Sequence, residues 1–238
     1  MESMRIRVKA LKDVFEPEEY EFMLEVAGHV EGSGLDLPVL YAGSGGDVEH
    51  AVILGNNLIF VDSHLPETTI TEIRNNIDKI GGEIIEERRI GKLGMGGKHV
   101  IEFEFCKDTI KIVYYAEDAT KFVPEEAKGG ISVYFVKVPH PKEPKVGSLT
   151  SPESLSRALK LIALGGFYLE RECPLCRVLR PEDLGFVKVA SGYISALSVN
   201  YNAKGNLYKK IREVENIYEL LKLDWNLYRN AICSRNLP

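Results

Sequence analysis

Residues 39–63 read VLYAGSGGDVEHAVILGNNLIFVDS, and the fold follows from how this stretch is parsed. The apolar run Val39-Leu40-Tyr41-Ala42 has the character of a buried strand and breaks into Gly43-Ser44-Gly45-Gly46. Asp47 is placed to cap a short helix over Val48–Leu54, with Ala51, Val52 and Leu54 toward a sheet. A second apolar run, Leu58–Val61, ends on Asp62, 19 residues after the first glycine. Glycines let a backbone approach a ligand closely and take positive φ without a Cβ clash. A helix start presents unpaired N–H groups over the turn, and a carboxylate at the adjacent strand tip can accept both ribose hydroxyls. The stretch therefore describes a nucleoside-containing ligand lying across the carboxyl ends of two parallel strands.

The dinucleotide fingerprint calls for glycine or alanine at its sixth position, where this chain has Val48. Asp47 and Glu49 also stand where a pyrophosphate would dock, whereas a phosphate-free sulfonium ligand tolerates them. Strand, Gly43-Ser44-Gly45, helix, and a strand ending in Asp62 resemble the class I S-adenosylmethionine-dependent methyltransferases. The resemblance implies that Gly43, Ser44, Gly45 and Asp47 face the methionine part of S-adenosylmethionine and that Asp62, with Ser63 beside it, faces the ribose. The family has an acidic residue two positions before the first glycine, where this chain has Tyr41; Asp47 or Asp118 would then meet the methionine amine.

Upstream, residues 4–10 (MRIRVKA) alternate apolar and polar, as an edge strand does. Residues 16–28 read as a packing helix with Pro17 in its first turn, an apolar face of Tyr20, Met23, Leu24 and Ala27, and Gly28 at its end. Downstream, a helix is expected from Glu67 to Ile80, then a third strand over residues 83–87. The loop RRIGKLGMGGK (88–98) is basic and glycine-rich but lacks phosphate-loop spacing: Lys92 stands where glycine belongs and His99 follows Lys98. HVIEFEF and TIKIVYY, joined at Cys106-Lys107-Asp108, predict a hairpin.

Asp118-Ala119, with Phe122 and Pro124 following, is similar to the family element that sits beside the adenine; an Asp turn at a strand end is the structural alternative. ISVYFVKV (131–138) predicts a central strand. The loop after it, Val-Pro-His-Pro, would line the acceptor pocket with Pro139 and Pro141, and His140 is the candidate general base. It is distantly similar to the Pro-Asp-Pro loop of tRNA guanine-N7 methyltransferases. Ser151-Pro152-Glu153 opens a helix through Leu164, ended by Gly165-Gly166, with a strand over Phe167–Glu170. Residues 181–190 match the family's short helix, Gly-Phe turn and sixth strand, and Tyr193–Tyr201 the seventh, antiparallel one, so the resemblance spans about residues 36–203. Cys173 and Cys176 have half a zinc-site spacing with no matching second pair, which favours metal-free thiols.

The expected fold is α/β: a doubly wound, mostly parallel, seven-stranded Rossmann-like sheet with an inserted β-hairpin and a C-terminal helical extension. One domain is expected, divided into a lead-in (1–33), a core (34–205) and an amphipathic extension (206–238), which packs on the core or on a second subunit as a homodimer. Length 238, 45% hydrophobic and 27% charged residues are those of an ordinary globule. No membrane-spanning run or signal peptide is legible, which makes the cytoplasm the default. Glutamine is absent while Glu, Lys and Ile abound, a composition that hints at a thermophilic source. The net charge of −5 argues against indiscriminate nucleic-acid coating and puts a small-molecule acceptor slightly ahead of RNA, although Arg88, Arg89, Lys92, Lys98, Lys142 and Lys145 could form a basic rim. Two alternatives stand beside the methyltransferase: an NAD-dependent dehydrogenase and a non-catalytic scaffold.

Overall fold

The computed structural model describes residues 3–137, 149–171, 175–196 and 199–235. Its elements in chain order are α1 (Ser3–Ala10), α2 (Pro17–Ser33), β1 (Val39–Ala42), β2 (Asn57–Val61), α3 (Pro66–Lys79), β3 (Glu83–Ile90), β4 (Lys98–Phe105), β5 (Asp108–Tyr115), β6 (Ile131–Val136), α4 (Pro152–Leu161), β7 (Ile162–Arg171), β8 (Phe186–Ala196), β9 (Val199–Lys210) and α5 (Ile217–Arg235). Among the described residues, the strands form one nine-stranded sheet in the order β3-β4-β5-β2-β1-β6-β7-β9-β8.

The five central strands β5, β2, β1, β6 and β7 run parallel, and β9 enters antiparallel between β7 and β8. Successive side chains of a strand point to opposite faces, and both faces here are covered. Val39, Tyr41, Leu58, Phe60, Val133 and Phe135 pack into one cluster with Met23, Val26 and Ile73 of α2 and α3. Leu40, Ala42, Ile59, Val61, Tyr134 and Val136 pack into the other with Leu155 and Leu159 of α4 and Leu221 of α5. Two-sided burial is why these strands read as unbroken apolar runs.

Several boundaries differ from the sequence reading. Residues 4–10 are helical, not an edge strand. The spacing that matters is Met4, Arg7, Val8 and Leu11, the i, i+3, i+4, i+7 pattern of a helix face, with Arg7, Val8 and Leu11 buried. The Arg7 guanidinium, fully buried, donates to the carbonyls of Val52 (2.6 Å) and Gly55 (3.1 Å), to Asn56 Oδ1, and to Asp108 Oδ2 (2.8 Å). It fastens α1 to the start of β2 and β5. Gly28 lies inside α2, which continues to Ser33 and ends on Gly34 in the left-handed conformation.

The sheet has nine strands rather than seven, because the insertion adds a two-strand edge. The hairpin forms as expected, with Cys106 and Lys107 both at positive φ in its two-residue turn. Its second strand, β5, is the third strand of the parallel core, beside β2; residues 83–90 are instead the antiparallel outer edge. The helix at Ser151 is capped as read, Ser151 Oγ accepting from Ser154 N, but ends at Leu161, where β7 begins. The last two strands are β8 and β9, which pair at the far edge; β9 extends to Lys210, past the expected start of the C-terminal extension, and the helical part begins at Ile217.

Candidate functional site

In an open, doubly wound sheet, ligands bind outside the carboxyl ends of the strands, where the strand order reverses. From β1 the chain moves outward to β2 on one side and returns to β6 on the other, so the switch point lies between β1 and β6. Gly43 directly follows β1 there, Asp62 follows β2, Asp118 lies three residues beyond β5, and Lys137 directly follows β6.

The glycine turn and Asp62 meet as the sequence implied. Gly43 N donates to Val61 O (2.9 Å), and Asp62 Oδ2 accepts from Gly45 N (2.9 Å), with Gly45 at φ 50°. Asp62 Oδ1 accepts from His64 N (2.7 Å). A carboxylate offers about four acceptor directions, and two are engaged here, so the half-buried Asp62 retains capacity for two further donors. Gly46 is packed so tightly on α3 that an added Cβ would lie 2.4 Å from Glu72 Cβ, and its carbonyl accepts from Asn76 Nδ2 (2.6 Å). Buried Ser44 Oγ has no hydrogen-bond partner among the described residues, and Ser63 is exposed beside Asp62.

Asp47 is placed differently from expectation. Residues 49–54 form successive buried turns rather than a regular helix, with Ala51 N and Val52 N both donating to Val48 O and Leu54 N to Ala51 O. Asp47, 1% exposed, accepts from Tyr41 OH (2.6 Å) and Lys137 Nζ (3.0 Å) at Oδ2 and contacts His50 Nδ1 (2.7 Å) through Oδ1. His50 Nε2 in turn contacts Glu19 Oε1 of α2 (2.8 Å), and Glu19 also accepts from Ser195 N and Oγ on β8 (both 2.7 Å). Two carboxylates flanking one ring leave an imidazolium as the form that satisfies both.

Burial alone would raise the Asp47 pKa, but His50 and Lys137 charges and the bonds from His50 and Tyr41 drive it well below the usual range. Glu19 is likewise lowered, desolvation being outweighed by His50 and Ser195. His50 is raised against its own desolvation, chiefly by Asp47. Sequence reading missed Glu19, His50 and Lys137. The available signal was the Asp47/His50 spacing of three at the head of the apolar run Ala51–Leu54.

Asp118 is exposed and turned onto its own loop, accepting from Thr120 N (2.9 Å) and Oγ1 (2.6 Å), with Lys121 Nζ at 3.4 Å. That is the Asp-turn alternative. Ala119 lines a small recess with Ala42, Val61, Phe122, Tyr134 and Arg157 at the carboxyl ends of β1 and β2. Pro139, His140 and Pro141 lie outside the described residues, as does Cys173. Burial pushes the Cys176 thiol up to about 12, and its Sγ donates to Leu179 O (2.7 Å). Among the described residues, no group of three or more His, Cys, Asp or Glu side chains could hold a metal. No helix there is long and apolar enough to cross a membrane.

No protein-family model matches the chain, and no curated protein gives a significant match. Its course is similar to solved methyltransferase structures. N-methyltransferase NodS from Bradyrhizobium japonicum is 11% identical, covering 83% of this chain and 98% of that one, with a TM-score of 0.48. TrmN from Thermus thermophilus is 16% identical over 79% of this chain at 0.44. The T. thermophilus 16S rRNA N2 G1207 methyltransferase RsmC, in complex with AdoMet and guanosine, is 14% identical over 83% at 0.47. The chain spans only 48% of TrmN and 44% of RsmC. The protein has a doubly wound α/β fold: beyond the β3-β4 edge, the described strands run in the order β5-β2-β1-β6-β7-β9-β8 with β9 antiparallel.

Proposed function

We propose that this protein binds S-adenosylmethionine at the β1–β6 switch point and transfers its methyl group to a small-molecule acceptor. The observation that carries the reading is Asp62, held by Gly45 N and His64 N beside the glycine turn with acceptor capacity left for ribose hydroxyls. Ser44 and Ser63 flank that position, and Ala119 with Phe122 offers apolar contact for a base.

A pyrophosphate ligand fits less well. Its usual cradle is a helix N-terminus, and residues 49–54 supply turns instead. Methyl transfer needs in-line positioning and, for a protonated nucleophile, removal of one proton. His140, between Pro139 and Pro141 in the loop after β6, is the proposed base.

A small acceptor is favoured over RNA because much of the basic rim is internally neutralised. Arg88 is paired with Glu86, Arg89 with Glu67 (2.9 Å) and Lys98 with Glu126 (2.6 Å); cations engaged in this way displace fewer counterions from a phosphate backbone. The scaffold reading has its own support: Lys137 and Tyr41 consume the Asp47 carboxylate, leaving no free carboxylate there for a ligand amine.

Calorimetric titration of the full chain with S-adenosylmethionine, S-adenosylhomocysteine and NAD tests the proposal. Micromolar binding of the two sulfur nucleosides alone supports it. Binding of NAD alone replaces it with the dehydrogenase, and no binding of any of the three leaves the scaffold.

A further inference from the structure

We propose that the outer edge of β3 pairs antiparallel with β3 of a second copy of this chain, about a two-fold axis at Glu87. All eight residues of Glu83–Ile90 are exposed, including Ile84 (37%), Ile85 (57%) and Ile90 (45%). Among the described residues, β3 backbone groups bond only across the β4 ladder, leaving the outer row of N–H and C=O groups unpaired. Such a row is a template for another strand.

Symmetry restricts the register. Two copies of one strand, antiparallel in a continuous sheet, are related by an axis perpendicular to the sheet. That operation preserves each face, so opposed residues must share a face and the axis must pass through a residue. Pairing with β4 puts Glu86, Arg88 and Ile90 on one face and Glu87 and Arg89 on the other.

With the axis at Glu87, Glu86 opposes Arg88 of the second copy and Arg88 opposes its Glu86, so the Glu86–Arg88 pair within each strand meets its own reverse in a four-charge cluster of alternating sign on one face. Ile90 falls beside the irregularity between Ile84 and Glu86 of the other copy. The residue that meets itself, Glu87, already carries Arg74 (2.6 Å) and His99 as partners. Each register sets one charged residue against itself, but an axis at Arg88 sets Ile90 against Glu86 and an axis at Glu86 sets Arg88 against the Ile84–Glu86 irregularity, so neither forms the reciprocal Glu86/Arg88 pairs. Charged residues on an edge ordinarily block pairing. Here they disfavour the neighbouring registers and match in one, with opposite charges directly across the ladder.

Sedimentation equilibrium of the full chain, from micromolar to millimolar, tests the interface with Glu86→Arg, Arg88→Glu and the double exchange. The expected result is a dimer weakened about tenfold or more by either single reversal and restored to within about threefold by the double exchange. Glu87→Cys adds a register-specific readout. Directly opposed Cα atoms lie about 4.5–5.5 Å apart in such a ladder, within disulfide reach, so mild oxidation would link the peptide containing position 87 to its own copy. A monomer at all concentrations overturns the proposal. So does a dimer insensitive to both single reversals, which would place the contact on another surface such as α5.

Discussion

Two carboxylates flank the same glycine turn and have opposite surroundings. Asp62 is half-buried and held by two backbone N–H groups, which orient it without consuming its charge. Asp47 is fully buried and surrounded by Tyr41, His50 and Lys137, so its charge is spent inside the protein. A carboxylate poised for a ligand keeps acceptor directions free, whereas a structural one uses them all. Asp62 keeps the acceptor directions that the proposed S-adenosylmethionine site needs, and Asp47 belongs to the architecture that shapes the turn.

The largest expected effect is on Asp47. Asp47→Ala would leave the Lys137 amine and the His50 ring adjacent at 3.1 Å without their shared anion. Breaking a buried ion pair on one side costs about 3–5 kcal/mol, so chemical unfolding should show a loss of that order or no folded protein. A loss below about 1 kcal/mol would mean that Asp47 is not the structural carboxylate described. Tyr41→Phe removes one donor to the same charge and should cost about 1.5–3 kcal/mol in the same assay.

The comparison also has a pH signature. Glu19 and Asp47 are lowered from ordinary values of 4.5 and 3.8, so their stabilisation is present above those values and is lost as pH falls through the folded ones. His50 is raised from 6.5, so its contribution is complete below 6.5 and is lost as pH rises through the folded value. The network should thus contribute fully between about 4.5 and 6.5 and decline on the alkaline side. Denaturant midpoints measured against pH should show that decline in the wild type and not in His50→Gln; identical slopes would remove His50 from the network. The smallest effect is expected at Ser44, whose buried hydroxyl has no partner among the described residues. Ser44→Ala should change stability by less than about 0.5 kcal/mol yet weaken S-adenosylhomocysteine about fivefold, the size of one neutral hydrogen bond.

The local half of this comparison, the meeting of Asp62 with the glycine turn, was legible in the sequence, and the long-range half was not. Strand, glycine turn and terminal Asp62 are local in sequence, and their chemistry needs only the backbone they specify. The Asp47 network joins residues 19, 41, 47, 50, 137 and 195, and no pattern in a single chain announces which distant groups converge. Glu19 in particular resembles any acidic residue of a helix first turn. Residues 4–10 satisfied both two-residue alternation and helical spacing, and the outcome was set by Arg7 reaching four acceptors across the core. The third core strand is β5 rather than residues 83–87, and the sequences differ as their burial does: EIIEERRI is charge-rich and exposed throughout, while DTIKIVYY ends in a run buried from Ile112 to Tyr115.

The central claim, that Asp62 is the carboxylate facing the ligand, is tested most directly by titrating S-adenosylhomocysteine into the wild type and Asp62→Asn, with unfolding stability measured on both. Loss of one or more charge-assisted hydrogen bonds, about 1.5–3 kcal/mol each, predicts binding weakened at least about tenfold while stability changes by about 1 kcal/mol or less. Equal affinity in the two proteins would contradict the claim, returning Asp62 to the role of a turn-forming residue.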